Sequence, residues 1–394
     1  MERVRIEIRR PFILRASVIS AVKSRFARAS RRGRSLLVVV TAALLASTTA
    51  GVRAEGSPKA GMAIRSFSPA GEFNWRGSRG RALTVAVWYP AQSDAQEIEI
   101  SVSPKRPLWH ADRAAPDAAP PVNLHRYPLI VMSHGFGGAG IQLAWLGAAL
   151  ARRGFVAAAV NHPGNSVDDV STLEGFALRW ERARDLKAVI DGLLGDSTFG
   201  ELIDRGRIGA AGFSLGGYTA ITIAGGRTDL DEFDHYCSGH IKACLPPPDV
   251  VPMLKQVAVA ARTDSQFRSE LRHAGDSYRD ERVRAIFAMA PAFGHSFARS
   301  SLASISIPVR IVVGDRDDVT PADVHAAYFA NEIKGARLDV LGGGVGHFVF
   351  LDLPTSRAKL ELPLYAIDPP GVDRAAIHDR VIEMAASFFD DAMK

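Results

Sequence analysis

The chain has 394 residues, 47% hydrophobic and 23% charged. This is ordinary globular composition, long enough for one large domain or two small ones. The net charge is +6, but residues 1–54 hold 12 Lys and Arg against 2 Asp and Glu, which leaves 36 against 40 in the body and no electrostatic case for a nucleic-acid backbone as partner.

The basic residues come first. Arg28, Arg31, Arg32 and Arg34 precede the apolar stretch SLLVVVTAALLASTTAGV, and Val52-Arg53-Ala54 follows. A basic region, an apolar stretch and small residues before a cut describe a secretory signal. The expectation is a signal over residues 1–54, cleavage after Ala54, and export to the periplasm or medium. The apolar stretch approaches the ~18–20 residues of a bilayer span, so an uncleaved anchor is the alternative.

RALTVAVWYP alternates with period two and reads as a strand, with Trp88 and Tyr89 as core. YPLIVMSHGFGG and GFVAAAVNHPG read as buried strands ending in turns. RWERARDLKAVIDGLL has Leu186, Val189, Ile190, Leu193 and Leu194 at helical spacing. Next come the strand RIGAAGFS and the helix LGGYTAITIAGG. The strands RAIFAMAPA and IPVRIVVGD, the helix PADVHAAYFANEI, the strand ARLDVLGGG and the helix AAIHDRVIEMAASFFDD complete the order. Strand–helix alternation with continuous apolar strands predicts an α/β fold with a mainly parallel sheet covered on both faces.

Residues ~226–282 break that rhythm, because a connection there is normally a few residues long. They read as a helical lid-like insertion in a domain over residues 55–394. Its apolar stripe is Val250, Met253, Leu254 and Val257, and Met253 and Leu254 are candidates to line a substrate pocket. Cys237 and Cys244 also lie there. In an exported chain a local pair closes as a disulfide; a Cys–His metal site with His235 and His240 fits no common zinc spacing.

The segment GFSLGG, between a strand and a helix, has the G-x-S-x-G form of a nucleophile elbow centred on Ser214. A serine hydroxyl needs a base to take its proton. In this architecture the chain order is Ser, then Asp or Glu, then His. Asp315, Asp317 and Asp318 follow a later strand, and His347 stands in a glycine-rich turn after the last one. An oxyanion needs donors already in place. The N–H groups of Leu215, next to the nucleophile, and Phe136, in the turn after LIVMS, are the candidates. His134 shapes that turn. His162 and His295 follow strand ends and are candidate pocket residues.

These pieces resemble the α/β-hydrolase superfamily. LTVAVWYPA, PLIVMSHGFGG, AAAVNHPGNS, RIGAAGFSLGG, IPVRIVVGDRDDVTP and GGGVGHFVFLD spread over most of residues 62–352. The VWYP and NHPGNS pieces are similar to the bacterial predicted dienelactone hydrolase group related to platelet-activating factor acetylhydrolase. The resemblance implies that the acid in the run from Gly314 to Pro321 is Asp317, with Asp315 and Asp318 in a solvated turn. Dienelactone hydrolases proper use cysteine where this chain has Ser214. The implied function is cleavage of a short-acyl or lipid-like carboxylic ester with no cofactor and no metal. Acyl transfer and amide cleavage use the same groups, and a non-enzymatic binding role is the alternative of another class.

Overall fold

The computed structural model describes residues 59–69, 82–102, 107–122, 125–244 and 250–394. The expected signal and its Ala54 cleavage site lie outside the described residues.

The strands are β1 (Lys59–Phe67), β2 (Leu83–Ala91), β3 (Ile98–Val102), β4 (Trp109–Pro116), β5 (Tyr127–Ser133), β6 (Val156–Val160), β7 (Ile203–Phe213), β8 (Val283–Met289), β9 (Val309–Gly314), β10 (Arg337–Leu341) and β11 (Leu353–Pro354). They form one sheet in the order β10-β9-β8-β7-β5-β6-β2-β1-β4-β11, with β3 beside β4. Neighbours from β6 to β10 run parallel. β2 is antiparallel to both β6 and β1. Every residue of β5, β6 and β9 is buried, as strands covered on both faces require.

Side chains on a strand alternate between faces. Trp88 meets Gly147 of the helix Ala144–Arg152, where a Cβ would stand 2.4 Å from the indole. Tyr89 turns the other way and packs edge-on against Phe199 at 5.1 Å, beyond the helix Arg182–Gly195. Both rings are core, at 0% and 2% exposure. Leu186, Val189, Ile190 and Leu193 form the buried stripe of Arg182–Gly195, while Leu194 is only partly covered. The last helix, Arg374–Ala392, is capped by the Asp373 carboxylate, which accepts from Ala375 and Ala376 N–H.

Among the described residues between Ile223 and Val283 the chain builds three α-helices, Leu230–Gly239, Val251–Thr263 and Ser265–Leu271. Cys237 and Cys244 form a disulfide, with Cα atoms 5.5 Å apart. The insertion docks on loops beyond the strand ends. Asp229 N–H donates to the Ser296 carbonyl at 2.8 Å, and the Tyr278 hydroxyl donates to Glu181 at 3.2 Å. Val251–Thr263 also touches the short helix Leu173–Ala177. Met253 is buried, whereas Leu254 is 39% exposed. Leu254 therefore falls off the stripe it was expected to share, being turned about 100° from Met253. Among the described residues no helix is long and apolar enough to cross a membrane.

Candidate active site

The strand order reverses at β5, whose neighbours are β6 and β7. In open α/β sheets ligands bind at such a switch point, beyond the carboxyl ends of the strands. Ser133, the last residue of β5, pairs with Gly212 near the end of β7. Ser214 follows at once, with φ 57° and ψ −117°, a backbone region that a side chain rarely adopts. The turn is held from β8 and the loop after it. Ser214 N–H donates to the Met289 carbonyl at 2.9 Å, and Ala292 N–H donates to the Ser214 carbonyl at 3.1 Å. A Cβ on Gly212 would lie 2.0 Å from the Gly216 carbonyl oxygen, and one on Gly216 would lie 1.8 Å from that of Ser133. That crowding explains the glycine on each side of the serine.

His347 arrives on a loop whose Gly343 and Gly344 have φ of 99° and 85°. The Asp315 carboxylate accepts from Gly343, Gly344 and Val345 N–H at 3.1, 2.9 and 2.8 Å. Asp315 is exposed in a turn, as expected, and it also clamps this loop. Asp318 is exposed. Asp317 is 6% exposed. Its Oδ1 accepts from Val319 N–H at 3.0 Å and Thr320 N–H at 2.6 Å. Its Oδ2 stands 2.8 Å from His347 Nδ1, and His347 Nε2 stands 3.0 Å from Ser214 Oγ. A carboxylate only accepts, so Nδ1 carries the proton and Nε2 is left to accept from the hydroxyl. The Thr320 hydroxyl adds a contact at 3.0 Å to Asp317 Oδ2. Such a line can take a proton from Ser214 and return it.

The turn after β5 crosses Ser214. A Cβ on Gly135 would lie 3.4 Å from that of Ser214. Gly138 N–H donates to the Gly135 carbonyl at 3.3 Å, and Gly137 N–H to Asn165 Oδ1 at 3.1 Å. The Phe136 ring is 51% exposed and meets Phe176 edge-on at 5.5 Å. Leu215 is the first residue of its helix, so its N–H has no partner within that helix.

Residues 130–359 match the profile of the alpha/beta hydrolase family. The chain belongs to that family. Cutinase est1 of Thermobifida alba is 32% identical over 212 residues, which cover 53% of this chain and 49% of the cutinase. Lipase 1 of a Moraxella species is 37% identical over 90 residues, 23% of this chain and 25% of the lipase. The match thus spans about half of the cutinase and a quarter of the lipase. Among solved structures, a ferulic acid esterase from Streptomyces cinnamoneus superposes with a TM-score of 0.56 at 22% identity, over 85% of this chain and 90% of that one. At that identity the likeness is one of fold.

In this α/β hydrolase His162 does not line a pocket. It is fully buried, with Nδ1 2.6 Å from Asp185 Oδ2 and Nε2 2.9 Å from Ser133 Oγ. Its N–H donates to His134 Nε2 at 3.2 Å, and Arg182 donates to the His134 carbonyl at 2.5 Å. These groups form the footing of the turn that carries Phe136. No local pattern links His162 to an aspartate 23 residues away, so only the fold reveals the pair. His295 is half-buried and stacks on Tyr236 of the insertion at 3.6 Å, with Tyr328 at 4.0 Å on its other contact. It joins the insertion to the loop after β8. His325 was not expected at the site. Its Nδ1 accepts from Gly294 N–H at 3.2 Å, and burial, then the charge of His295, push its pKa down to about 4. Among the described residues no group of three or more His, Cys, Asp or Glu can hold a metal ion.

Proposed function

We propose that this α/β hydrolase cleaves carboxylic esters through an acyl-enzyme on Ser214. The observation that carries the reading is the hydrogen-bonded line Ser214–His347–Asp317 at the switch point, with Ser214 raised on a strained turn. Ser214 Oγ attacks the ester carbonyl while His347 Nε2 takes its proton. The tetrahedral intermediate places its oxyanion against the N–H groups of Phe136 and Leu215. Collapse breaks the bond to the alkoxy group, which leaves as the alcohol with the proton from His347. Water, deprotonated by the same imidazole, then releases the acid and restores Ser214. Asp317 orients His347 and stabilises its charged form. The relatives' names, cutinase, lipase and ferulic acid esterase, favour an ester over an amide.

The insertion is the lid of this site. It rests on the loops after β6 and β8, and its buried Met253 faces inward. The narrower resemblance to acetylhydrolases favours a short or lipid-like acyl chain. The signal-like leader and the disulfide favour an exported enzyme. The test is labelling by a fluorophosphonate probe, together with hydrolysis of nitrophenyl esters of rising acyl length. Labelling and turnover are expected in the wild type and lost in Ser214→Ala. Met253→Ala shifts the preferred acyl length, and Leu254→Ala does not. A label that persists in Ser214→Ala overturns the assignment of the nucleophile.

A further inference from the structure

Arg179 opens the short turn Arg179–Glu181, at the base of the loop that follows β6. Its guanidinium carbon stands 4.5 Å from the centre of the Phe293 ring, 5.6 Å from that of Tyr218 and 6.0 Å from that of Phe233. Each ring ties it to a different part of the site. Tyr218 is one helical turn beyond Ser214. Phe293 follows Ala292, whose N–H holds the Ser214 carbonyl. Phe233 belongs to the first helix of the insertion. Phe293 is itself in the left-handed region, at φ 61°, so its ring is presented to the guanidinium at a conformational cost.

The cation is poorly matched. Its Nε and Nη2 are enclosed and, among the described residues, have no hydrogen-bond partner. Burial lowers its pKa from the ordinary value, opposed by the Tyr218 hydroxyl and, more weakly, by Asp234. An arginine nevertheless keeps its charge. Three aromatic faces offset only part of the cost of enclosing a guanidinium. A planar fork with two unused donors is the complement of a carboxylate.

We propose that Arg179 receives a carboxylate carried by the substrate when the Phe233 ring of the insertion moves off the guanidinium, which makes the enzyme selective for esters that bear a second, acidic group. Half-esters of dicarboxylic acids and the acid ends of polyester fragments are of this class. The assignment rests on the esterase reading above, and it adds a specificity residue against Tyr218, one helical turn beyond Ser214.

The test compares charged and neutral esters of equal length on the full chain. In the acyl arm, mono-4-nitrophenyl adipate is set against its methyl ester. In the alcohol arm, the butyrate of 5-hydroxy-2-nitrobenzoic acid is set against 4-nitrophenyl butyrate. The wild type should prefer the charged ester in one arm by about 10–100-fold in kcat/KM, the range of a hydrogen bond to a charged group. Arg179→Gln should abolish that ratio, and Arg179→Lys should keep part of it. On the wild type alone, adipate should inhibit competitively and dimethyl adipate should not, which decides the matter if the glutamine variant fails to fold. No preference in either arm, or an Arg179→Gln loss equal for charged and neutral esters, overturns the proposal. Fluorophosphonate labelling separates the two readings. An unlabelled, inactive wild type sinks the esterase; a labelled one without preference sinks Arg179 alone.

Discussion

Two Ser–His–Asp lines lie within one molecule. Ser214–His347–Asp317 has contacts of 3.0 and 2.8 Å. Ser133–His162–Asp185 has contacts of 2.9 and 2.6 Å. The residue types and distances match, so neither tells the two serines apart. Backbone and access do. Ser133 is an extended strand residue, paired with Val160 on one side and Gly212 on the other, and its line has no exposed surface. Ser214 stands on a strained turn past the end of its strand, at 9% exposure. The deep line supports a turn; the shallow line faces whatever enters.

The comparison breaks most easily at the two serines. Ser214→Ala and His347→Ala should each lower kcat by roughly 10³ or more, since the groups act as a unit. Ser133→Ala should cost only a few-fold, and peptide mapping should find fluorophosphonate on Ser214 alone. Adduct on Ser133 would erase the distinction. The two histidines should divide the opposite way in stability. His162→Ala removes a buried partner of Asp185 and should cost about 3–5 kcal/mol by denaturant unfolding. His347→Ala should change stability by less than about 1 kcal/mol, as functional groups seldom add stability.

A smaller effect separates the three aspartates. Asp315→Asn loses part of a carboxylate that gathers three N–H groups, so kcat should fall about 10-fold through a displaced His347. Asp318→Asn should stay within about 2-fold. Equal effects would mean that Asp315 does not hold the loop. The smallest effect concerns acid, in a histidine that belongs to neither line. His378 stacks on Trp145 at 4.0 Å and donates to the Val349 carbonyl at 2.8 Å, and burial pushes its pKa down to about 4. The unfolded imidazole titrates near ~6.5. The fold therefore disfavours the charged ring, and its contribution is whole above that pH and lost as pH falls towards 4. Melting temperature should decline between pH 7 and 5, less steeply in His378→Gln. A slope that is unchanged in the variant would show that His378 does not contribute.

The sequence was most legible where one signal served two levels. The runs LIVMS, VAAAV and VRIVVG must be strands because both their faces are covered, and glycines flank Ser214 because the turn has no room. It was least legible at the sheet's far edge. KAGMAIRSF and WHADRAAP, which form β1 and β4, mix small and polar residues and lack a β-rich run. PADVHAAYFANEI was also expected to be helical throughout, whereas the regular helix is only Ala326–Glu332. Asp185 sits in a charged helical pattern and reads as a solvent-facing residue; its pairing with His162 depends on two strands and a helix meeting. Arg179 and Asp315 are similar cases, since what each touches lies far along the chain.

The bonds from Met289 and Ala292 to either side of Ser214 mean that the position of this serine is set partly by a segment about 75 residues further along the chain. A library that mutates only pocket-lining residues would overlook it. Substitutions over residues 289–292 would move the hydroxyl relative to His347 without touching any substrate, and they would register as lost turnover with binding retained. Directed evolution of the proposed esterase should therefore treat the end of β8 as part of the machinery to be tuned.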